Sequence, residues 1–181
     1  MAREPFQVFD NLYFIGTGEV ASYVITTSAG SILIDTLYGG EYTGYLLENM
    51  QTLGLDIADV EYVLILQGHW DHYGGARMLQ DEYTEAPFGA AEEDWQMIEA
   101  DLGDAAPRRG FVIEDGDSLT LGDTTLHFEH TPGHTPGTMS VRFPVFDNGR
   151  RHEAYFHGGS ALRTDEPAAI RRFIADLERI K

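Results

Sequence analysis

The segment Val60-Glu-Tyr-Val-Leu-Ile-Leu-Gln67-Gly-His69-Trp-Asp71-His72-Tyr-Gly74-Gly75 decides how the chain is read. Its first half is aliphatic and β-branched, with apolar side chains on both faces. That pattern predicts a strand buried on both sides, and so a sheet with cover above and below. The second half turns polar at once and carries two imidazoles and a carboxylate within four residues. A cluster of that kind on a loop projecting from a rigid strand is a common setting for binding and catalytic groups.

Working outward, FQVFDNLYFIG gives two short strands around Asp10-Asn11. SYVITTSAGSILIDT gives a hairpin around Ser28-Ala29-Gly30, its second strand ending at Asp35. Tyr45, Leu46, Met50 and Leu53 recur at helical spacing, and Gly54 is the expected stop. Downstream of the central segment, ARMLQDEY and Ala90–Leu102 read as helices, with Trp95, Met97 and Ile98 on the latter. FVIEDGDSLTLGDTTLHFEH breaks into short strands at Gly116 and Gly122-Asp123. HTPGHTPG is a loop, TMSVRFPVF and HEAYFHGG are strands around a DNGRR turn, and Glu166–Ile180 is an amphipathic helix. The sequence shows no linker long enough to divide it, so one α+β domain over 1–181 is expected.

A second histidine cluster, His130-Thr-Pro-Gly-His134-Thr-Pro-Gly137, lies far from the first. Imidazole and carboxylate together suit zinc and similar divalent ions. With no cysteine, a metal must use His, carboxylate, amide or water, and neither a disulfide nor a thiolate nucleophile is available. In a loop, His69, Asp71 and His72 can converge on one ion or divide between two. His134 completes a shell only if its loop meets theirs. His127 in an alternating strand reads as a non-ligand, His130 as structural and His152 as solvated. His157, ahead of Gly158-Gly159-Ser160, can be a ligand or a supporting group. Asp35 can orient His69 or His72 through a hydrogen bond, or simply cap the chain. Trp70 either shields the rim of the site or packs in the core.

Thirty acidic residues against 12 basic ones leave a formal net charge of −18. Such a surface repels phosphate backbones and anionic headgroups, so neither nucleic acid nor membrane is an expected partner. No apolar run reaches membrane-spanning length. MAREPFQVFD lacks the apolar stretch of a secretory signal, which predicts a cytoplasmic location for the chain as it stands and a periplasmic or secreted one if a leader was removed.

Gln67-Gly-His69-Trp-Asp71-His72, followed by Gly74-Gly75 and later by HTPGHTPG, resembles the metallo-β-lactamase superfamily, whose pattern is His-x-His-x-Asp-His at a strand end. Within it, the downstream loop is most similar to the third (B3) subclass. The resemblance implies an αββα sandwich binding one or two zinc ions at one edge. Position 67, His69 and His134 would form the first zinc site, and Asp71 and His72 would serve the second, with Asp71 also carried over as the catalytic carboxylate. It implies a small-molecule substrate and metal-assisted hydrolysis, in which water activated at zinc attacks the amide carbonyl of a β-lactam. A lactone or thioester hydrolase is the alternative, and a non-catalytic metal-binding or interaction domain is another.

Three departures from the pattern bear on these expectations. Gln67 replaces the first histidine and is a weaker donor. No acid follows Phe156-His157-Gly158-Gly159, leaving Ser160 to fill a pocket role. No final histidine precedes Lys181, so the expected fold is C-terminally short, with His157 or a partner subunit as the substitute and a homodimer covering the shortened side.

Overall fold

A computed structural model describes residues 3–159, 161–163 and 165–179. Two sheets carry the architecture. The first runs in spatial order β1 (Phe6–Phe9), β2 (Leu12–Phe14), β3 (Tyr23–Thr27), β4 (Gly30–Ile34), β5 (Val60–Leu64), β6 (Phe88–Ala90) and β7 (Phe111–Val112). Its first four strands are antiparallel, and β4 through β7 pair in parallel. The second is an antiparallel meander ordered β11 (Arg150–Phe156), β10 (Met139–Asp147), β9 (Thr124–His130) and β8 (Ser118–Leu121).

Residue alternation in the central strands explains the layering. Val24, Leu33, Val63 and Ile65 face one side, where they pack with Leu46, Met50, Leu79, Trp95 and Ile98 from helices α1 (Glu41–Thr52), α3 (Ala76–Glu82) and α4 (Glu92–Leu102). Ile25, Ile32, Ile34, Leu64 and Leu66 face the other side and meet Leu126, Phe128, Met139, Val141, Phe143 and Val145 of the second sheet. Both faces of the sheet's middle strands are thus dry, which is why those strands lack a polar alternation. Each such side chain contributes about 1.5–3 kcal/mol relative to leaving it in water. Helix α5 (Pro167–Arg179) lies beyond the second sheet, with Phe173 buried beside Gly133 and 6.0 Å from the His157 ring. The result is the expected helix–sheet–sheet–helix sandwich.

Two local readings need correction. The stretch Trp70–Tyr73 is not loop but a four-residue helix, α2, with the His72 N–H donating to the His69 carbonyl at 2.9 Å. The helix predicted from Ala90 begins at Glu92, because Phe88–Ala90 is drawn into parallel pairing with β5 and β7. Three residues are too few to show a period, and only the flanking strands make them β. No helix among the described residues is long and apolar enough to cross a membrane.

Candidate metal centre

The parallel strands β4 and β5 end side by side, and the candidate residues project from that edge. At the end of β4, Asp35 takes a left-handed backbone (φ 59°), which short polar residues tolerate better than others. Its carboxylate, fully buried, turns toward β5. Oδ1 accepts the Leu66 N–H at 3.0 Å, and Oδ2 accepts His72 Nδ1–H at 2.7 Å. Asp35 thus fills both roles open to it, orienting an imidazole through Oδ2 and holding a backbone N–H through Oδ1. The chain beyond it stays close to α2: Thr36 N–H and Oγ1 both donate to the His72 carbonyl. A side chain at Gly74 would place its Cβ 2.4 Å from the Tyr38 carbonyl oxygen, so this approach requires glycine.

A line of hydrogen bonds continues from His72. Gln67, buried, donates through Nε2 to His72 Nε2 at 2.7 Å and accepts His69 Nδ1–H through Oε1 at 2.7 Å. The His69 ring meets the His134 ring edge-on, centroids 4.8 Å apart and planes at 89°. His134 Nδ1–H donates to the Ala161 carbonyl at 2.6 Å, which leaves its Nε2 lone pair free. Asp71 Oδ2 stands 3.6 Å from His72 Nε2, with its side chain one-third exposed. The loop from β9 to β10 therefore does meet the loop from β5.

Gln67, Asp71, His72, His134 and His157 line one open pocket of about 260 Å³, together with Glu19, Val20, Phe156 and Arg163. Burial, then the charges of His134 and Arg163, lowers the His69 pKa. Burial and then Arg163 and His72 also lower His134, against a hydrogen bond to Ala161. Both rings favour the neutral form that a metal requires. Burial pulls His72 down too, but the Asp35 charge and hydrogen bond, helped by Asp71, bring it above the ordinary imidazole value.

The donor chemistry suits a divalent ion. His72 has its Nδ1 tied to a buried carboxylate, the usual support of a metal-bound imidazole. Its Nε2 and Asp71 Oδ2 lie near the ~3.3 Å expected between two donors on one tetrahedral zinc with bonds of about 2.0–2.1 Å. Gln67 is the exception: its amide hydrogen meets the His72 lone pair that an ion would use. Among the described residues no three His, Asp or Glu side chains are already set to hold a metal ion.

The remaining candidates fall as follows. His157 Nδ1 accepts the Gly159 N–H at 3.1 Å, and its Nε2 is buried without a hydrogen-bond partner among the described residues. Burial, then His134, lowers its pKa. Ser160 lies outside the described residues. Trp70 is 56% exposed and edge-on to Tyr38 at 5.6 Å, on the surface rather than in the core. His127 is exposed on β9, and His130 Nε2 contacts the Pro136 carbonyl at 2.8 Å, bracing its own loop. Arg163 at the pocket mouth and buried Asp94 behind it carried no signal in the sequence, since one sits in a loop and the other in an ordinary acidic helix start.

Comparison with known proteins matches residues 15–145 to the metallo-beta-lactamase superfamily. A subclass B3 metallo-beta-lactamase of Bradyrhizobium japonicum superposes with a TM-score of 0.83 and 33% identity, over 98% of this chain and 73% of that one. A class B3 di-zinc metallo-beta-lactamase from an Alaskan soil metagenome gives a TM-score of 0.86 and 27% identity, over 99% of this chain and 74% of that one. A hydroxyacylglutathione hydrolase of Haemophilus influenzae is 29% identical over 140 residues, 71% of this chain and 63% of that protein. Other curated relatives are spanned for 42%, 39% and 47% of their length.

Proposed function

The chain belongs to the metallo-beta-lactamase superfamily, and from that premise we propose that it is a zinc-dependent hydrolase whose first substrate class is the β-lactam amide. The observation that carries the reading is the edge-on meeting of His69 with His134, from two loops distant in sequence, where His134 shares one pocket with Asp71 and His72. Likeness to subclass B3 enzymes over nearly the whole chain supports the lactam.

His69, Asp71, His72 and His134 would hold one or two zinc ions, with Gln67 yielding its hydrogen bond to His72 or contributing its amide oxygen. Zinc would supply a water acidic enough to react at neutral pH and would polarise the carbonyl. The protein supplies the rest. Asp35 fixes the His72 ring. Asp71 Oδ2 is a carboxylate oxygen at the pocket, 3.6 Å from His72 Nε2, that can take up a proton beside the reacting centre. Arg163 sets a positive charge at the mouth, suited to the carboxylate that β-lactam antibiotics carry. Val20 and Phe156 give the walls an apolar part.

Thioester hydrolysis is a second reading, favoured by the likeness to a hydroxyacylglutathione hydrolase. One experiment separates them. The purified protein is loaded with zinc and given a chromogenic cephalosporin and an acylglutathione, each with and without chelator. Chelator-sensitive turnover of the cephalosporin is expected. Turnover of the thioester alone would replace the lactam reading, and no zinc-dependent turnover of either would overturn hydrolysis of both classes.

A further inference from the structure

Asp94 sits in the first turn of α4, where a carboxylate usually faces water and the helix N-terminus. Here its residue is 1% exposed. Oδ1 accepts the Gly137 N–H at 2.9 Å and Oδ2 accepts the Thr135 hydroxyl at 2.8 Å. The Gly68 backbone packs against the same carboxylate, and its N–H helps to stabilise the charge there. Gly68 immediately precedes His69, and Thr135 immediately follows His134. One side chain therefore joins the two loops directly behind their imidazoles.

The glycines show how close that junction is. A Cβ at Gly68 would lie 3.0 Å from Asp94 Cγ, and one at Gly137 would lie 2.7 Å from it. The β9–β10 loop needs a bare backbone at Gly137 to close on the carboxylate, and a side chain at Gly68 would make Asp94 give way by a few tenths of an ångström. Burial pushes the Asp94 carboxyl above the usual carboxylate range, only partly offset by the bonds from Thr135 and Gly137 and by the Gly68 N–H. A folded-state value above the unfolded one gives stability that is full below the unfolded value and lost as pH rises through the folded value.

We propose that Asp94 is a positioning residue that sets the spacing of His69 and His134, and so the metal affinity of the pocket, by tying the Gly68 backbone to Thr135 and Gly137. The affinity part rests on the reading that these two imidazoles hold zinc. The spacing part does not.

The test is Asp94→Asn in the full chain, which keeps the shape but replaces one acceptor with a donor. Zinc affinity, measured by chelator competition, is expected to fall about 10- to 100-fold, the usual effect of losing a group that supports metal ligands. In the metal-free protein, the ring nitrogen and carbon-bound proton resonances of His69 and His134 are expected to shift as their edge-on contact opens. His72, held by Asp35, should keep its resonances. A folded variant with wild-type affinity and unmoved His69 and His134 signals would overturn the proposal, as would equal shifts in all three rings. If Asp94→Asn does not fold, Thr135→Val removes one donor and Thr135→Ser restores it. Weaker zinc binding in the first and recovery in the second are expected, and wild-type binding in both would overturn the proposal. Should the wild type bind no zinc, the metal reading fails, and the ring resonances of the variants still decide whether Asp94 sets the spacing.

Discussion

Two buried aspartates stand behind the pocket, and they act on different parts of it. Asp35, from the end of β4, grips an imidazole directly: its Oδ2 fixes the His72 ring while Oδ1 holds the Leu66 backbone. Asp94, from α4, touches no imidazole. It binds Gly137 and Thr135 in one loop and packs against Gly68 in the other. The cluster on α2 is thus oriented at the level of the side chain, and the β9–β10 loop at the level of the backbone. Strand pairing already places Asp35 beside β5, whereas the HTPGHTPG loop reaches Gly68 through one backbone bond, Met139 N–H to the Leu66 carbonyl at 2.8 Å, and the Asp94 carboxylate. The difference separates a ring that must point correctly from a loop that must arrive.

The largest effect that would break this contrast is at Asp35. Asp35→Ala frees the His72 ring and leaves the Leu66 N–H buried without an acceptor. Zinc affinity should fall about 10- to 100-fold, and urea unfolding should register a loss of about 1.5–3 kcal/mol, typical of a hydrogen bond to a charged group. Unchanged zinc affinity in the folded variant would remove His72 from the metal centre.

Gln67→His sharpens the contrast from the other side. Imidazole is the better zinc donor, and the substitution removes the amide hydrogen that meets His72 Nε2. Titration calorimetry should show tighter zinc binding. Equal or weaker affinity would count against position 67 as a ligand.

The imidazoles should also differ in their response to pH. In the metal-free protein, NMR titration should find His72 above the ordinary imidazole value and His69 and His134 below it. The signs follow by linkage. The stability His72 contributes is full below its unfolded value and lost as pH rises through the raised one. For His69 and His134 it is present above the unfolded value and lost as pH falls through the depressed one. A His72 that titrates together with the other two would mean that Asp35 does not grip its ring in solution.

The smallest effect is expected at His127, exposed on β9. His127→Ala should leave zinc content unchanged and stability within about 0.5 kcal/mol by thermal unfolding. A loss of zinc would show that the pocket draws on a residue outside it.

These residues also mark how far the sequence could be read. The aliphatic run from Val60 to Leu66 announces a strand covered on both faces, and the residues after it announce a metal-type cluster. Both are local signals. Phe88–Ala90 was legible only through its neighbours, because three residues acquire strand character from β5 and β7. Asp94 was hidden for a related reason. In Glu92-Glu93-Asp94 it resembles any acidic first turn, and its burial depends on a loop that arrives from the far sheet. Asp35 was visible as a candidate because it ends an apolar strand. That it grips both His72 and the Leu66 N–H depends on where α2 and β5 lie, which the sequence does not place.

The central claim is that the β5 and β9–β10 loops form one metal centre. Zinc bound per chain, measured after equilibrium dialysis for the wild type, His72→Ala and His134→Ala side by side, tests it most directly. The account predicts at least one zinc on the wild type and a loss in both variants, one from each loop. Full zinc retention in His134→Ala would mean that the second loop stands by the site without serving it.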